Sequence, residues 1–139
     1  MTTQTNIQTG QALLDAFNAR NLDLWQGKLG DDFSASYPGM RDINGREMAK
    51  AYNAPFLQAF SDLHFKVTRV VAEGDTVVYA WTSSGTHDGP LLTPAGAIPP
   101  TGRKGVIVGV LIATIKDGKI AREETYWNQV ELMAQLGLM

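Results

Sequence analysis

The chain has 139 residues and a net charge of −2, and it contains no cysteine. Chains of this length usually fold as one domain with a full hydrophobic core, so we expect residues 1–139 to form a single domain. The absence of cysteine excludes a disulfide, a thiolate zinc site and a cysteine nucleophile. Because the charged residues are scattered and form no basic block, we expect no nucleic-acid partner and no anionic membrane partner.

The first eight residues carry neither the basic start nor the apolar core of a signal peptide. No segment approaches the ~18 consecutive apolar residues of a transmembrane helix. We therefore expect a cytoplasmic protein that does not bind membranes.

The N-terminal part of the chain has helical patterns. Apolar residues recur at helical spacing from Ile7 to Arg20, and the segment from Leu22 to Leu29 suggests a second, short helix. Asn44 and Glu47 have the spacing of a capping pair at the start of a third helix. Pro55 is expected to kink or divide that helix, because proline removes a backbone donor and crowds the preceding turn.

The rest of the chain is mostly typical of β-structure. Extended segments are predicted at 31–38, 63–72, 76–86, 105–115 and 119–128. The segment 105–115 is apolar on both faces, which predicts a strand covered on both sides. The segment 87–104 holds four of the six prolines and is long for a connection, so we expect a functional lid or rim there. Helices followed by an antiparallel meander indicate an α+β domain with the helices on one sheet face.

The last predicted strand carries an unusual row of polar side chains. Period-two alternation places Arg122, Glu124, Tyr126 and Asn128 on one face. Such a row either lines a cavity or is the solvent face of the sheet.

Six short motifs, in this order, resemble the SnoaL-like polyketide cyclases of the nuclear transport factor 2-like superfamily. They are Phe60-Ser-Asp-Leu63, Gly74-Asp75, Gly85-Thr-His-Asp-Gly89, Pro100-Thr-Gly-Arg103, Asp117-Gly-Lys-Ile120 and Gln135-Leu-Gly137. The resemblance implies a cone formed by a strongly curved, antiparallel or mixed sheet, wrapped by N-terminal helices around an apolar cavity. It also implies a small hydrophobic ligand, no cofactor, and a homodimer or higher homo-oligomer. Because this fold hosts several activities, the resemblance does not decide the reaction.

The resemblance implies that the polar row of the last strand faces the cavity. The family's cyclases typically have an acid/base Asp nine positions before the glycine of Gln-Leu-Gly, where this chain has Asn128. An amide cannot exchange a proton at neutral pH, although it can donate a hydrogen bond to an oxyanion. The resemblance therefore implies that another group supplies the base.

Three further residues are candidates for catalysis. Glu124 would serve as the base if the cavity desolvates it, whereas beside Arg122 it would be a solvated or ion-paired residue. Tyr126 would donate to a substrate carbonyl or would be core packing. His87 would carry a proton or would bond the backbone of the Pro-rich loop. His64 and His87 are the only histidines and form no metal motif, so we expect no metal.

Apolar and aromatic residues on several predicted elements are candidates for binding the ligand, with plain core packing as the alternative. They are Tyr37, Met40, Tyr52, Phe56, Phe60, Trp81 and Val108. Trp127 lies on the opposite face to the polar row, so we expect it in an intersubunit or second-layer contact.

Three functions fit these patterns. The leading hypothesis is a cofactor-independent aldol cyclase, isomerase or related proton-transfer enzyme acting on a small hydrophobic carbonyl compound. The second is a cofactor-free hydroxylase or an epoxide hydrolase, although the latter needs a buried Asp-Arg-Asp arrangement. The third is a non-catalytic hydrophobic-ligand binding or oligomerisation module.

Overall fold

The computed structural model describes residues 2–139. The predicted helices and strands occur in the predicted order, together with three short strands that were not predicted. The helices are α1 (Thr3–Asn18), α2 (Leu22–Gly27), α3 (Arg46–Ala59) and α4 (Gln129–Gln135). The strands are β1 (Leu29–Tyr37), β2 (Met40–Asn44), β3 (His64–Glu73), β4 (Thr76–Thr86), β5 (Leu91–Thr93), β6 (Gly96–Ile98), β7 (Lys104–Lys116) and β8 (Lys119–Trp127). The α+β class is confirmed.

Six strands form one curved, open sheet in the order β2-β1-β8-β7-β4-β3. β1 and β8 are parallel, whereas all other neighbours in this sheet are antiparallel. The sheet is therefore mixed. Asp117 and Gly118 join β7 to β8 with φ values of 52° and 74°, the positive values that a two-residue hairpin turn requires.

The two faces of the sheet differ in burial. Along β4 and β7 the odd-numbered side chains, such as Tyr79, Trp81 and Leu111, are buried beneath the helices. The even-numbered side chains of β7 point the other way, and Val106 and Val108 are 45% and 66% exposed. The prediction that this strand is covered on both sides is therefore wrong for the described chain, since no element packs over these valines.

A glycine allows a tryptophan to lie across the inner face of the sheet. Gly109 of β7 is paired with Trp81 of β4. A Cβ atom at Gly109 would lie 2.5 Å from Cζ2 of Trp81, closer than two carbon atoms can approach. The absence of a side chain at Gly109 therefore leaves space for the indole ring of Trp81.

Two details of the helices differ from expectation. Asn44 ends β2 and does not cap α3, because Gly45 occupies the N-cap position with no side-chain hydrogen bond. Pro55 lies inside α3, which continues from Arg46 to Ala59 without division. Proline costs the helix one backbone hydrogen bond, and the rest of the helix continues around it.

The Pro-rich segment 87–104 folds into the short β5–β6 hairpin beside α3. Its first residues are fastened to the end of that helix, because the backbone N–H groups of Asp88 and Gly89 both donate to the Ala59 carbonyl. Within residues 2–139, no helix is long and apolar enough to cross a membrane.

Candidate active site

A cavity of about 110 Å³ lies between the inner face of the sheet and helices α1, α2 and α3. Its wall is mainly aromatic and aliphatic, which suits a hydrophobic ligand. A few polar side chains interrupt this wall, and they are Tyr37, Tyr52, Asn53, Ser83, Ser84, Glu123 and Thr125. Glu123 is the only Asp, Glu, Lys, Arg or His residue among the described residues of the wall.

The structure brings most of the predicted ligand-binding residues together. Five of the seven line this cavity, and they are Tyr37, Tyr52, Phe56, Phe60 and Trp81. Met40 lies instead in a neighbouring groove. Val108 is on the exposed outer face of β7, so its predicted place in the cavity wall is wrong.

The predicted facing of the last strand is also wrong. The side chains of β8 that line the cavity are Glu123, Thr125 and Trp127, the odd-numbered set. A β-bulge explains this facing, because Ile115 pairs with Ile120 while Thr114 pairs with Arg122. The extra residue reverses the alternation, since a one-residue shift moves every later side chain to the other face.

Glu124 and Tyr126 therefore lie on the outer face of the sheet. The Glu124 carboxylate accepts a hydrogen bond from Arg122 Nε at 3.3 Å, and both side chains are partly exposed. Arg122 also donates to the Ser34 hydroxyl at 3.0 Å. Tyr126 is 54% exposed. Neither predicted catalytic side chain reaches the cavity.

Asn128 follows the end of β8 and caps the last helix. Its side-chain oxygen accepts a hydrogen bond from the Glu131 N–H at 3.0 Å, which satisfies a free donor of the first turn of α4. The residue is exposed and does not line the cavity. The prediction that Asn128 is an oxyanion donor in the cavity is therefore wrong. The chain leaves the sheet at Trp127, before it reaches Asn128.

His87 is buried, but it does not line the cavity. Its Nδ1 accepts a hydrogen bond from the Thr101 N–H at 3.2 Å, and its own backbone pairs with Arg103 and Gly102. Its ring packs against Phe60, with ring centroids 5.3 Å apart. The interaction with the loop backbone is the alternative that the sequence left open, and the structure places His87 there.

Glu123 is a carboxyl group in a buried and largely apolar environment. It is 5% exposed, and its neighbours on the adjacent strands are Ala35 and Ala113, both fully buried. Burial disfavours the charged carboxylate, and this raises the pKa of Glu123 from 4.5 to about 7, against a smaller lowering by the hydrogen bond from Tyr37. This carboxyl group therefore changes charge near neutral pH.

Tyr37 holds this carboxyl group in place. Its hydroxyl donates to Oε1 of Glu123, and within the described residues this is the only hydrogen bond to that side chain. Burial, with the nearby Glu123, raises the pKa of Tyr37 far above its ordinary value, so the phenol keeps its proton. The second carboxyl oxygen, Oε2, is left without a protein partner in residues 2–139 and is available to a ligand.

Aromatic stacking fixes the position of Tyr37. Its ring stacks on that of Tyr52 with centroids 4.5 Å apart, and the Tyr52 hydroxyl donates to the Pro38 carbonyl at 2.7 Å. Phe56, one turn further along α3, makes an edge contact with Trp127 at 5.9 Å. One face of α3 therefore supports the carboxyl group and forms one side of the cavity.

These observations limit what the site can do. A desolvated carboxyl group with a free oxygen can accept and return a proton, and the hydrogen bond from Tyr37 holds its other oxygen in place. In residues 2–139 no three His, Asp or Glu side chains are grouped closely enough to hold a metal ion. The arrangement is suited to acid/base chemistry on an apolar compound.

The sequence held one clue to this facing. The odd-numbered side chains of β8 include Trp127 and Thr125, and they are less polar than the even-numbered set that holds Arg122 and Glu124. A buried face is normally the less polar one. The resemblance to cyclases with an Asp at the position of Asn128 implied the opposite facing.

A family model for SnoaL-like polyketide cyclases matches residues 7–136. The chain belongs to this family. The match spans nearly all of the cavity wall, from α1 to α4, and it confirms the resemblance that the six motifs indicated. None of the curated protein sequences matches the chain.

Solved structures with this fold carry different names. A candidate SnoaL-like polyketide cyclase from Jannaschia sp. CCS1 is 26% identical, with a TM-score of 0.87 over 99% of this SnoaL-like chain and 94% of the other. AclR, a candidate hydroxylase from Streptomyces galilaeus, is 23% identical, with a TM-score of 0.85 over 99% and 84%. A candidate ketosteroid isomerase from Kribbella flavida DSM 17836 is 20% identical, with a TM-score of 0.68 over 91% and 80%. The last two show a shared fold alone.

Proposed function

We propose that this SnoaL-like protein is a cofactor-independent enzyme that moves a proton on the carbon beside a carbonyl group of a small hydrophobic compound. The observation that carries the proposal is the buried Glu123, whose carboxyl group has one oxygen held by Tyr37 and the other free inside an apolar cavity. Membership of a family named for cyclases, together with a fold shared with a candidate ketosteroid isomerase, supports this reaction class.

The proposed reaction begins with ionised Glu123. Its carboxylate takes a proton from the carbon next to the carbonyl, and the electrons of the C–H bond move to the carbonyl oxygen to form an enolate. A hydrogen-bond donor is needed at that oxygen. The hydroxyl of Thr125 lies in the cavity wall and can supply it, whereas the Tyr37 hydroxyl already donates its proton to Glu123. In an isomerisation the protonated Glu123 returns its proton to another carbon. In an aldol closure the enolate carbon bonds to a second carbonyl carbon, whose oxygen takes the proton.

The alternative activities fit this cavity less well. An epoxide hydrolase would need a buried Asp-Arg-Asp arrangement, and Arg122 lies on the outer face of the sheet beside Glu124. A non-catalytic carrier would need the apolar wall but would not need a carboxyl group whose pKa is raised to about 7. We therefore favour proton transfer, with ligand binding as the second candidate.

Proton transfer can be tested without knowing the natural substrate. In deuterium oxide, the protein should exchange the protons beside the carbonyl of a small methyl ketone such as 2-pentanone, and NMR would follow the exchange. Because the base must be ionised, the rate should rise with pH and level off above about pH 7, as the raised pKa of Glu123 requires. Saturable binding of the ketone without exchange would instead favour the carrier.

We also propose that the chain forms a homodimer through the outer face of the sheet. Val106, Val108 and Tyr126 expose apolar surface there, on the neighbouring strands β7 and β8. Exposed apolar surface of this kind is typical of an interface between subunits.

Light scattering at several protein concentrations tests this assembly. We expect a dimer for the wild type and a monomer for Val108→Lys, because a buried lysine charge without a partner would oppose association. Leu24→Lys is the matched control, since Leu24 is 49% exposed on α2 and should not change the mass. A wild-type monomer at all concentrations would contradict the proposal.

A further inference from the structure

A second, larger cavity adjoins the first. This outer groove has a volume of about 350 Å³ and lies between α3, the β5–β6 hairpin and α4. Four residues line both spaces, namely Tyr52, Phe56, Trp127 and Leu132. The inner cavity and the outer groove therefore share a wall, and the Phe56–Trp127 edge contact belongs to it.

The inner cavity is too small for a ligand of ordinary size. Its volume of about 110 Å³ lies well below the roughly 300–1,000 Å³ of typical small-molecule sites. The outer groove raises the combined volume into that range. A compound larger than a few heavy atoms that reaches Glu123 therefore needs space beyond the inner cavity, and the outer groove is the adjoining space.

The side chains of the outer groove indicate the chemical nature of the part of the ligand that lies outside the inner cavity. Among the described residues that line it, none has a charged side chain. Met40 and Met48 are 40% and 39% exposed, and Leu92 of the hairpin is 52% exposed. Flexible methionine side chains adapt to apolar ligands of varied shape. The groove thus fits an uncharged, apolar chain and disfavours a phosphate or a carboxylate.

We infer that the ligand is an elongated carbonyl compound, with its carbonyl end beside Glu123 and Tyr37 and an apolar tail in the outer groove. The tail crosses between the two spaces at Tyr52, Phe56 and Trp127, which line both of them. Placing the carbonyl end at Glu123 rests on the proposed function. The occupation of the groove rests on its volume, its uncharged wall and the four lining residues that it shares with the inner cavity.

Binding of a series of methyl ketones from 2-butanone to 2-decanone, measured by NMR titration, tests this inference. The shortest member fills the inner cavity, and each further methylene enters the groove. Burial of a methylene favours binding by up to about fourfold, so affinity should rise along the series until the groove is filled.

Two variants on opposite sides of the groove report on the tail alone. Met48→Glu on α3 and Leu92→Glu on the hairpin place a charge beside the tail, and neither residue lines the inner cavity. Both should remove most of the gain with chain length and leave the affinity for 2-butanone unchanged. Leu24→Glu should behave as the wild type, because Leu24 is exposed and lines neither space.

Three results would overturn the inference. They are equal affinity for short and long ketones, a gain with chain length that survives in both groove variants, and no saturable binding of 2-decanone. Failure of the proposed catalysis has a different signature. Long ketones would then bind with the chain-length gain without exchanging their protons, whereas exchange without any chain-length gain would retain the catalysis and reject the groove.

Discussion

Glu123→Gln should lower the rate of ketone proton exchange by about 10²- to 10⁴-fold, the range that a positioned general base contributes. Glutamine keeps the size of the side chain and can still accept the hydrogen bond from the Tyr37 hydroxyl, so the cavity should keep its shape. It cannot take a proton from carbon, because an amide is not a base at neutral pH. The measurement is the initial exchange rate of 2-pentanone in deuterium oxide at pH 8.

The adjacent residue supplies a matched control. Glu124 differs from Glu123 by one position, but its side chain lies on the outer face and pairs with Arg122. Glu124→Gln should therefore keep the exchange rate within about twofold, because surface charges outside the site contribute little to the reaction. If Glu124→Gln lost the exchange and Glu123→Gln kept it, the base would be the residue predicted from the sequence, and the assignment of Glu123 would fail.

The tightest turns and the order of elements were predictable from the sequence because their causes are local. Asp117 and Gly118 adopt the positive φ values of a hairpin turn, and such values depend on few residues. The aromatic part of the cavity wall was predictable for a related reason, since large apolar residues of α3 such as Tyr52 and Phe56 must be buried somewhere.

The carboxyl group itself was not predictable in the same way. Its facing depends on one extra residue between Ile120 and Arg122, and alternation along the strand carries no sign of that bulge. Asn128 shows a related limit. A side chain at the end of a strand can either line the cavity or cap the next helix. Only the start of α4 at Gln129 reveals that Asn128 caps a helix. The role of a residue in the site depends on where its helix or strand begins and ends. Local sequence patterns locate those ends poorly.

The free energy of unfolding should fall by roughly 3 kcal/mol as the pH rises from about 4.5 to about 7, because each pKa unit corresponds to about 1.4 kcal/mol. The sign follows from the raised pKa of Glu123. Between these pH values the folded protein keeps a proton that the unfolded chain has already lost, so higher pH favours unfolding. The stabilisation is complete below pH 4.5 and is lost above about pH 7.

The other groups with shifted pKa values affect stability outside this pH range. The contribution of Glu123 to the pH dependence of unfolding can therefore be measured separately. Hydrogen bonds from Thr86 and Ser61 lower the pKa of Asp62 and Asp88 below 3.8, so their contributions are lost only in more acidic solution. The raised pKa of Tyr37 matters only above pH 10, where an unfolded tyrosine ionises. Within the range from pH 5 to pH 8, Glu123 is therefore the group expected to dominate.

Urea unfolding followed by tryptophan fluorescence at pH 5, 6, 7 and 8 measures this dependence, at one fixed protein concentration because a dimer would add its own stability. Glu123→Gln should be nearly independent of pH over this range and more stable than the wild type at pH 8, because it never places a charge between Ala35 and Ala113. Glu124→Gln should keep the wild-type slope. A wild type without any slope would mean that Glu123 ionises near its ordinary pKa, and the exchange rate would then level off in acid instead of near pH 7. Stability and exchange thus report the same ionisation by independent routes, so agreement of the two midpoints would tie the buried carboxyl group to the reaction.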